Sequence, residues 1–146
     1  MTTNGTIGTL LHHKGSTVWT IPAQATVFEA ITMLAHKNIG ALPVMEGDRL
    51  LGIFSERDYT RKVALEGKSS RATPVRDIIS TAVIAVTSNH TIEEAMRLMT
   101  EKRIRHLPVI DDGKMVGLVS IGDMVNWIIS AQSATIDQMQ SYLAGR

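Results

Sequence analysis

Two short segments of the sequence combine a glycine, two apolar residues, a serine and an aspartate at the same spacing. They are Gly52-Ile53-Phe54-Ser55-Glu56-Arg57-Asp58 and Gly117-Leu118-Val119-Ser120-Ile121-Gly122-Asp123. If each segment is a strand that runs into a helix, backbone N–H groups and the positive end of the helix dipole face outward, which suits an anion. A carboxylate can accept hydrogen bonds from two vicinal hydroxyls, as it does for ribose in dinucleotide folds. The pattern therefore indicates a nucleoside phosphate site.

The same Ser-x-x-Asp spacing also fits a plain helix capping box, in which the two side chains satisfy backbone N–H groups at the start of a helix. A single occurrence favours capping, because any helix start favours these residue types. Two copies after matched strands add weight to a ligand site. The spacing alone leaves both interpretations open.

An internal repeat connects the two motifs. Sliding the sequence against itself aligns Thr26 with Thr91, Glu29 with Glu94, Ala30 with Ala95, Lys37 with Lys102, Leu42-Pro43-Val44 with Leu107-Pro108-Val109, and then the two motifs. The alignment has no gap over this region. Such a match indicates one structural unit used twice.

The segments upstream of the repeats also correspond, with an insertion in the first copy between His12 and Thr17. Ile7, Leu10 and Leu11 align with Val75, Ile78 and Ile79, and both triplets have amphipathic-helix spacing. The sequence thus predicts an N-terminal helix and inserted loop over residues 1–17, repeats over 18–65 and 75–129, a linker over 66–74 and a helical tail over 130–146.

Each repeat is predicted to have the order β-α-β-β-α. The predicted strands are Val18 to Ile21, Leu42 to Met45 and Leu50 to Phe54 in the first copy, and Val83 to Val86, Leu107 to Ile110 and Met115 to Val119 in the second. Capping boxes at Thr26 and Thr91 begin the central helices. A closing helix is expected near Ser55 and near Ser120. The last helix is expected to continue, with breaks, to Tyr142 and to cover an apolar surface.

The Leu-Pro-Val strand, the turn after it and the Gly-h-h-Ser-x-x-Asp motif, where h is apolar, together resemble the CBS domain, named after cystathionine beta-synthase and normally found in pairs. The resemblance covers roughly Thr6 to Ile129. It implies an α+β fold of two pseudo-twofold-related β-α-β-β-α repeats, with small facing sheets and flanking helices. It also implies clefts that bind an adenine nucleotide such as AMP, ADP, ATP or NAD, or S-adenosylmethionine.

Carried over position by position, the resemblance implies that Asp58 and Asp123 hold ribose hydroxyls and that Ser55 and Ser120 lie near ribose and phosphate. The residues implied to line the adenine are Thr20, Ile21, Ile39, Gly40, Ala41, Leu42, Pro43, Val86, Ile104, Arg105, His106, Leu107 and Pro108. Lys14, in the inserted segment, is expected to reach a phosphate.

The two copies differ in charge before the proline. The second copy has Arg103, Arg105 and His106 there, where the first has Asn38-Ile39-Gly40-Ala41. In similar modules one repeat borrows these residues from the other, so we predict one principal site that combines Ser55, Arg57 and Asp58 with Arg105 and His106. The surroundings of Asp123 are expected to carry little charge. A solvated strand edge is the alternative interpretation of the arginines.

Other candidate residues favour structural roles. His12 and His13 are adjacent but have no third ligand, so a metal site is not predicted. Arg61 and Lys62 are expected to be solvent-exposed charges. The two tryptophans, Trp19 and Trp127, are expected to pack rather than to stack on a base. No serine or cysteine has a base placed for a relay, so catalysis is not predicted.

Composition limits the classes of partner. A formal net charge of +1 is too small to favour long nucleic acids, and no apolar run is long enough to span a membrane. The absence of cysteine suits a reducing compartment, so a cytoplasmic location is expected.

The sequence thus predicts a regulatory module that binds an adenine nucleotide, AMP above all. It is expected to signal through conformation or homodimerisation to a separate protein target. The alternatives are a structural dimerisation unit with vestigial clefts and, less favoured, a nucleotide-hydrolysing enzyme.

Overall fold

Helices and strands begin and end at the capping and turn residues of the two repeats in the computed structural model, which describes residues 5–15, 17–80 and 82–143, with the backbone alone for 132–135. The elements in chain order are α1 (Ile7–Lys14), β1 (Ile21–Pro22), α2 (Val27–Lys37), β2 (Ala41–Glu46), β3 (Arg49–Ser55), α3 (Glu56–Asp58) with a π-helical continuation (Tyr59–Ala64), a 3₁₀ turn (Val75–Asp77), α4 (Ile92–Lys102), β4 (His106–Asp111), β5 (Lys114–Ser120) and α5 (Ile121–Leu143). This is an α+β fold with two copies of one repeat.

The chain divides into two units, and the repeat unit Thr17–Ile84 holds a three-stranded sheet in the order β1-β2-β3. β1 pairs in parallel with β2, and β2 pairs antiparallel with β3. The predicted capping box begins α2: Glu29 N–H donates to the Thr26 hydroxyl, and the Glu29 carboxylate accepts from Thr26 N–H. One face of α2 then packs on the sheet around the fully buried Phe54.

The other unit joins Met1–Ser16 to Ala85–Arg146, and its described residues contain the antiparallel pair β4 and β5. Val86 adds a parallel bridge to Val109 beside β4. A second predicted capping box, Thr91 with Glu94, begins α4. Both hairpins lie where the sequence predicts them, so the internal repeat is visible in the strand register.

The first helix packs in the unit that contains the second repeat, although the sequence-based division places it ahead of the first. Ile7, Leu10 and Leu11 of α1 are buried there, and Ile7 N–H donates to the carbonyl of His90 at 2.9 Å. Residues 75–84, conversely, belong to the unit of the first repeat. Each repeat is therefore completed by the segment upstream of the other.

Glycines of the two motifs make this packing feasible. A Cβ on Gly117 would lie 2.7 Å from Leu11 Cδ2, and a Cβ on Gly52 would lie 2.5 Å from the carbonyl oxygen of Ser80. A glycine inside a strand often marks such a close approach. In each unit, the segment that lies upstream of the other repeat in the sequence thus crosses the strand at the motif glycine.

Four local expectations were wrong. The first strand is limited to Ile21–Pro22, and Val86 forms a bridge rather than a strand. The predicted helix at Val75 is only a short 3₁₀ turn, after which the chain crosses β3 at Gly52. α5 runs without a break from Ile121 to Leu143.

The apolar residues that end α5 lie at the surface of the described chain. Ile129, Ile136, Met139, Tyr142 and Leu143 are each more than half exposed. The helix is nevertheless not apolar enough for a lipid bilayer, and no other described helix has the length and apolarity to span one.

Candidate functional site

The first motif forms a closed hydrogen-bond ring at the junction of β3 and α3. Asp58 N–H donates to Ser55 Oγ at 3.2 Å, while Ser55 N–H and the Ser55 hydroxyl both donate to Asp58 Oδ2, at 2.9 and 3.0 Å. Lys62 lies on the other carboxylate oxygen, with its Nζ 3.4 Å from Asp58 Oδ1. The Asp58 side chain is only 22% exposed, so this carboxylate is half-buried among donors.

The second motif repeats the ring at the junction of β5 and α5. Asp123 N–H donates to Ser120 Oγ at 3.1 Å, and Ser120 N–H donates to Asp123 Oδ2 at 2.8 Å. The cation here comes from α1: Lys14 Nζ lies 2.7 Å from Asp123 Oδ2 and also donates to the Leu118 carbonyl at 2.7 Å. The capping interpretation of Ser-x-x-Asp therefore holds for the geometry of both repeats.

The amide groups at these helix starts are largely used within the protein. Glu56 N–H donates to the Gly40 carbonyl at 3.2 Å, and Ile121 N–H donates to the Arg105 carbonyl at 2.9 Å. The amides of Asp58 and Asp123 donate to the motif serines. The expectation that free amides face outward at the start of each helix is therefore wrong for these positions. The physical reason is that the strand-to-helix turn folds back onto its own hairpin.

The residues before each proline lie directly beside the motif of the same repeat. Ala41 is opposite Ser55 in the strand register, and His106 is opposite Ser120. Hence His106 shares its immediate surroundings with the second motif. Ser55, Arg57 and Asp58 belong to one unit and Arg105 and His106 to the other, so their combination in one site stays a prediction.

The residues predicted to line the adenine divide by burial. Those with almost no exposed surface are Ile21, Ala41, Leu42, Val86 and Leu107, and Pro43 and Pro108 are also buried. Ile39, Gly40, Ile104 and His106 are half-buried, while Thr20, Arg57 and Arg105 are exposed. The half-buried and exposed groups are the ones that a ligand can contact without opening a core.

Burial lowers the pKa of the His106 imidazole below its ordinary value. The nearby Asp123 carboxylate raises this pKa, while Lys14 and Arg105 lower it further. At neutral pH His106 is therefore an uncharged hydrogen-bonding group. It was predicted as a phosphate-neutralising group, and the structure gives it that charge only in more acidic solution.

Lys14 and Lys62 are the residues whose positions differ most from the sequence-based view. Lys14 is directed to Asp123 rather than to an open anion site, so the surroundings of Asp123 are not poor in charge. Lys62 pairs with Asp58 and donates to the Ile78 carbonyl at 3.1 Å. Its i,i+4 spacing from Asp58 was a readable signal for this pair.

The remaining candidates take structural positions. The His13 ring packs edge-on against Trp127, with ring centroids 5.4 Å apart, and Lys37 Nζ lies 3.9 Å from the Trp19 ring centroid. A Cβ on Gly5 would lie only 2.8 Å from Trp127 Cζ2. Within residues 5–15, 17–80 and 82–143, no three histidine, aspartate or glutamate side chains group so as to hold a metal ion.

Comparison with known proteins gives the same repeat. The family model described as CBS domain matches residues 15–65 and 75–130. The mitochondrial CBS domain-containing protein CBSX3 of Arabidopsis thaliana is 40% identical over 90% of this chain, which spans 66% of that protein. The CBS domain-containing protein YhcV of Bacillus subtilis is 33% identical over 80% of this chain and 83% of its own length.

Solved structures agree with this assignment. The CBS domain structure NE2398 is 47% identical and has a TM-score of 0.82, covering 86% of this chain and 98% of its own. The CBS domain pair of protein MJ0100, in complex with 5′-methylthioadenosine and S-adenosyl-L-methionine, has a TM-score of 0.73 over 84% of this chain and 94% of its own. At 23% identity that last likeness concerns the fold alone. The chain belongs to the CBS domain family and carries two copies of the domain in tandem.

Proposed function

We propose that this CBS pair is a non-catalytic regulatory module that binds an adenine nucleotide of the AMP class. The observation that carries the proposal is the duplicated, half-buried Ser–Asp pair at a strand-to-helix junction, with a lysine ammonium on each aspartate. A carboxylate held in this way can accept hydrogen bonds from sugar hydroxyls, and the lysine ammonium can pair with a phosphate. The ligands named for the MJ0100 pair, 5′-methylthioadenosine and S-adenosyl-L-methionine, share the adenosine part of these nucleotides but carry no phosphate.

Thermal unfolding with added nucleotide tests this proposal. AMP, ATP and NAD are each added at increasing concentration, with inorganic phosphate as the control for general anion effects. A ligand present at 100 times its dissociation constant should stabilise the protein by about 2.7 kcal/mol. An unchanged melting temperature with every nucleotide would favour the alternative of a structural dimerisation unit with vestigial clefts.

Titration calorimetry of variants tests the residues. Asp58→Ala removes a proposed ribose acceptor and Arg105→Ala a proposed phosphate partner, so each should weaken AMP binding by about tenfold or more. Asp48→Ala, in the exposed turn between β2 and β3, is the matched control and should bind like the wild type. If AMP affinity were the same in all three variants, the assignment of Asp58 and Arg105 would be wrong.

We also propose that the signal involves a homodimer formed through α5. Val125, Ile129, Ile136, Met139 and Leu143 are 45% to 80% exposed and fall at a and d positions of one heptad repeat. A heptad seam is complementary to a second helix of the same kind, and a second copy of the chain supplies one. We name these five residues the α5 seam.

The target of the signal is proposed to be a separate protein. The proposed module is non-catalytic.

Incubation of the purified protein with Mg²⁺ and ATP should therefore release no phosphate, and steady release of phosphate would contradict the regulatory assignment. The lack of cysteine supports the cytoplasm as the proposed location.

A further inference from the structure

Lys14 occupies the carboxylate that the second repeat would offer to a sugar. Its ammonium contacts two acceptors at 2.7 Å, Asp123 Oδ2 and the Leu118 carbonyl. The Asp123 side chain is 21% exposed and that of Lys14 is 36% exposed, so the pair is only partly solvated. A ligand hydroxyl that approaches this oxygen therefore meets a bound cation.

The fold holds Lys14 in this position. Lys14 is the last residue of α1, and Gly15 N–H donates back to the Leu11 carbonyl at 2.8 Å while its φ of 95° turns the chain away. Leu11 packs at Gly117, three residues before the motif serine. The lysine is thus fixed by a buried helix face rather than by a loop.

The first repeat reaches the same arrangement from a different part of the chain. There the ammonium on Asp58 comes from Lys62, one turn further along. The repeat alignment places Trp127, not a lysine, at the corresponding position of the second copy. Both repeats therefore have a lysine ammonium on the motif aspartate, but the two lysines do not occupy equivalent positions of the repeat.

We infer that Lys14 makes the second motif selective for ligands that carry a phosphate over uncharged nucleosides. This inference rests on the proposed function. A nucleoside that takes the carboxylate competes with the ammonium at Asp123 Oδ2 and offers no negative charge in return. A nucleotide offers its phosphate, so Lys14 can move from Asp123 to the phosphate while the freed carboxylate accepts from the sugar.

The selectivity is measured at the second motif itself by NMR. Gly122 lies between Ser120 and Asp123, and its amide resonance, assigned by comparison with Gly122→Ala, reports ligand binding there. AMP and adenosine are titrated separately into the wild type, Lys14→Met, Lys14→Arg and Lys102→Met. Lys102 ends α4 in the same unit and is exposed, so its variant controls for the loss of one positive charge.

Lys14→Met should bind adenosine more tightly and AMP more weakly, so that the AMP-over-adenosine affinity ratio falls on the order of tenfold. Lys14→Arg and Lys102→Met should keep the wild-type ratio to within about a factor of two. Binding of both ligands with an unchanged ratio in Lys14→Met, or an equal change in Lys102→Met, would overturn the inference. If no nucleotide shifted any resonance of the wild type, the proposed function itself would fall, and the inference with it.

Discussion

Ser55 and Ser120 each close the first turn of a helix, and the same side chains are the ones proposed to lie beside a ligand. A capping serine or aspartate that is replaced by alanine costs about 0.5–2 kcal/mol of stability. The loss of nucleotide binding in Asp58→Ala is therefore meaningful only beside a measured melting curve. Asp58→Asn, which keeps the shape and one acceptor oxygen, separates the ligand role from the cap.

His106 gives the most direct test of the electrostatics around the second motif. Because burial lowers its pKa, NMR titration of the free protein should give a midpoint below 6.5, with the signal assigned by comparison with His106→Gln. Lys14→Met removes a neighbouring positive charge, so it should raise this midpoint. A midpoint at or above 6.5 in the free protein would contradict the burial of an uncharged imidazole.

The same shift predicts how stability depends on pH. Between the folded pKa and 6.5 the unfolded state binds more protons at His106, so the free energy of unfolding rises with pH across that window and levels off above it. His106→Gln should show a shallower dependence between pH 5 and 7 in urea titrations. An identical slope in both proteins would show that other groups account for it.

Adding a methyl group at the two motif glycines should destabilise the protein to different extents, because their neighbours differ. Gly52→Ala would press a methyl group on the backbone carbonyl of Ser80, which cannot turn aside, so it should cost about 1–3 kcal/mol. Gly117→Ala meets the flexible end of Leu11 and should cost less. Gly122→Ala, with its nearest neighbour at 3.6 Å in a helix, should be neutral or stabilising. Equal losses at Gly52 and Gly117 in urea unfolding would contradict this account.

At the scale of elements, the two capping boxes are matched by the repeat and should behave alike. Thr26→Ala and Thr91→Ala each remove the acceptor for the N–H group of the glutamate three residues later. Each should lower the free energy of unfolding by about 1 kcal/mol, measured by urea denaturation. Thr32→Ala, on the exposed side of α2, serves as the control and should change stability little. If Thr91→Ala left the free energy of unfolding unchanged, α4 would not depend on its cap.

The central helices and hairpins could be predicted because local chemistry determines them. Capping boxes at Thr26 and Thr91, turn residues and the period of apolar residues are all readable in one stretch of chain. The packing of α1 could not be predicted in the same way, since the sequence order places Leu11 far from Gly117. The glycine itself was the available signal, and its position inside a strand indicated a close neighbour without identifying it.

For the candidate site, too, the features set by local sequence could be predicted and those set by long-range packing could not. The Ser–Asp ring and its place at a strand-to-helix junction were predicted from spacing, and Lys62 could have been predicted from its i,i+4 relation to Asp58. The contact of Lys14 with Asp123 joins residues 109 positions apart, so no local pattern encodes it. The lowered pKa of His106 likewise depends on burial that only the packed unit provides.

At the scale of the whole molecule, the α5 seam predicts the oligomeric state. Ile136→Asp combined with Met139→Asp places two charges on the seam, so the proposed homodimer should dissociate to a monomer in native mass spectrometry and light scattering. Gln138→Asp, on another side of the same exposed helix, is the matched control and should remain a dimer. A doubly substituted protein that stayed dimeric would place the interface elsewhere.

The packing of α1 also has a consequence for synthesis. Lys14 and its partner carbonyl at Leu118 are 104 residues apart, so a ribosome that adds about 5–20 residues per second needs roughly 5–20 s between them. During that interval all residues of the other unit, Thr17–Ile84, are synthesised. Ile7, Leu10 and Leu11 meanwhile have no strand of their own unit to pack against. Among the described helices α1 is made before the others and yet is among the last to pack, so its apolar face stays uncovered in the nascent chain until β5 has been made.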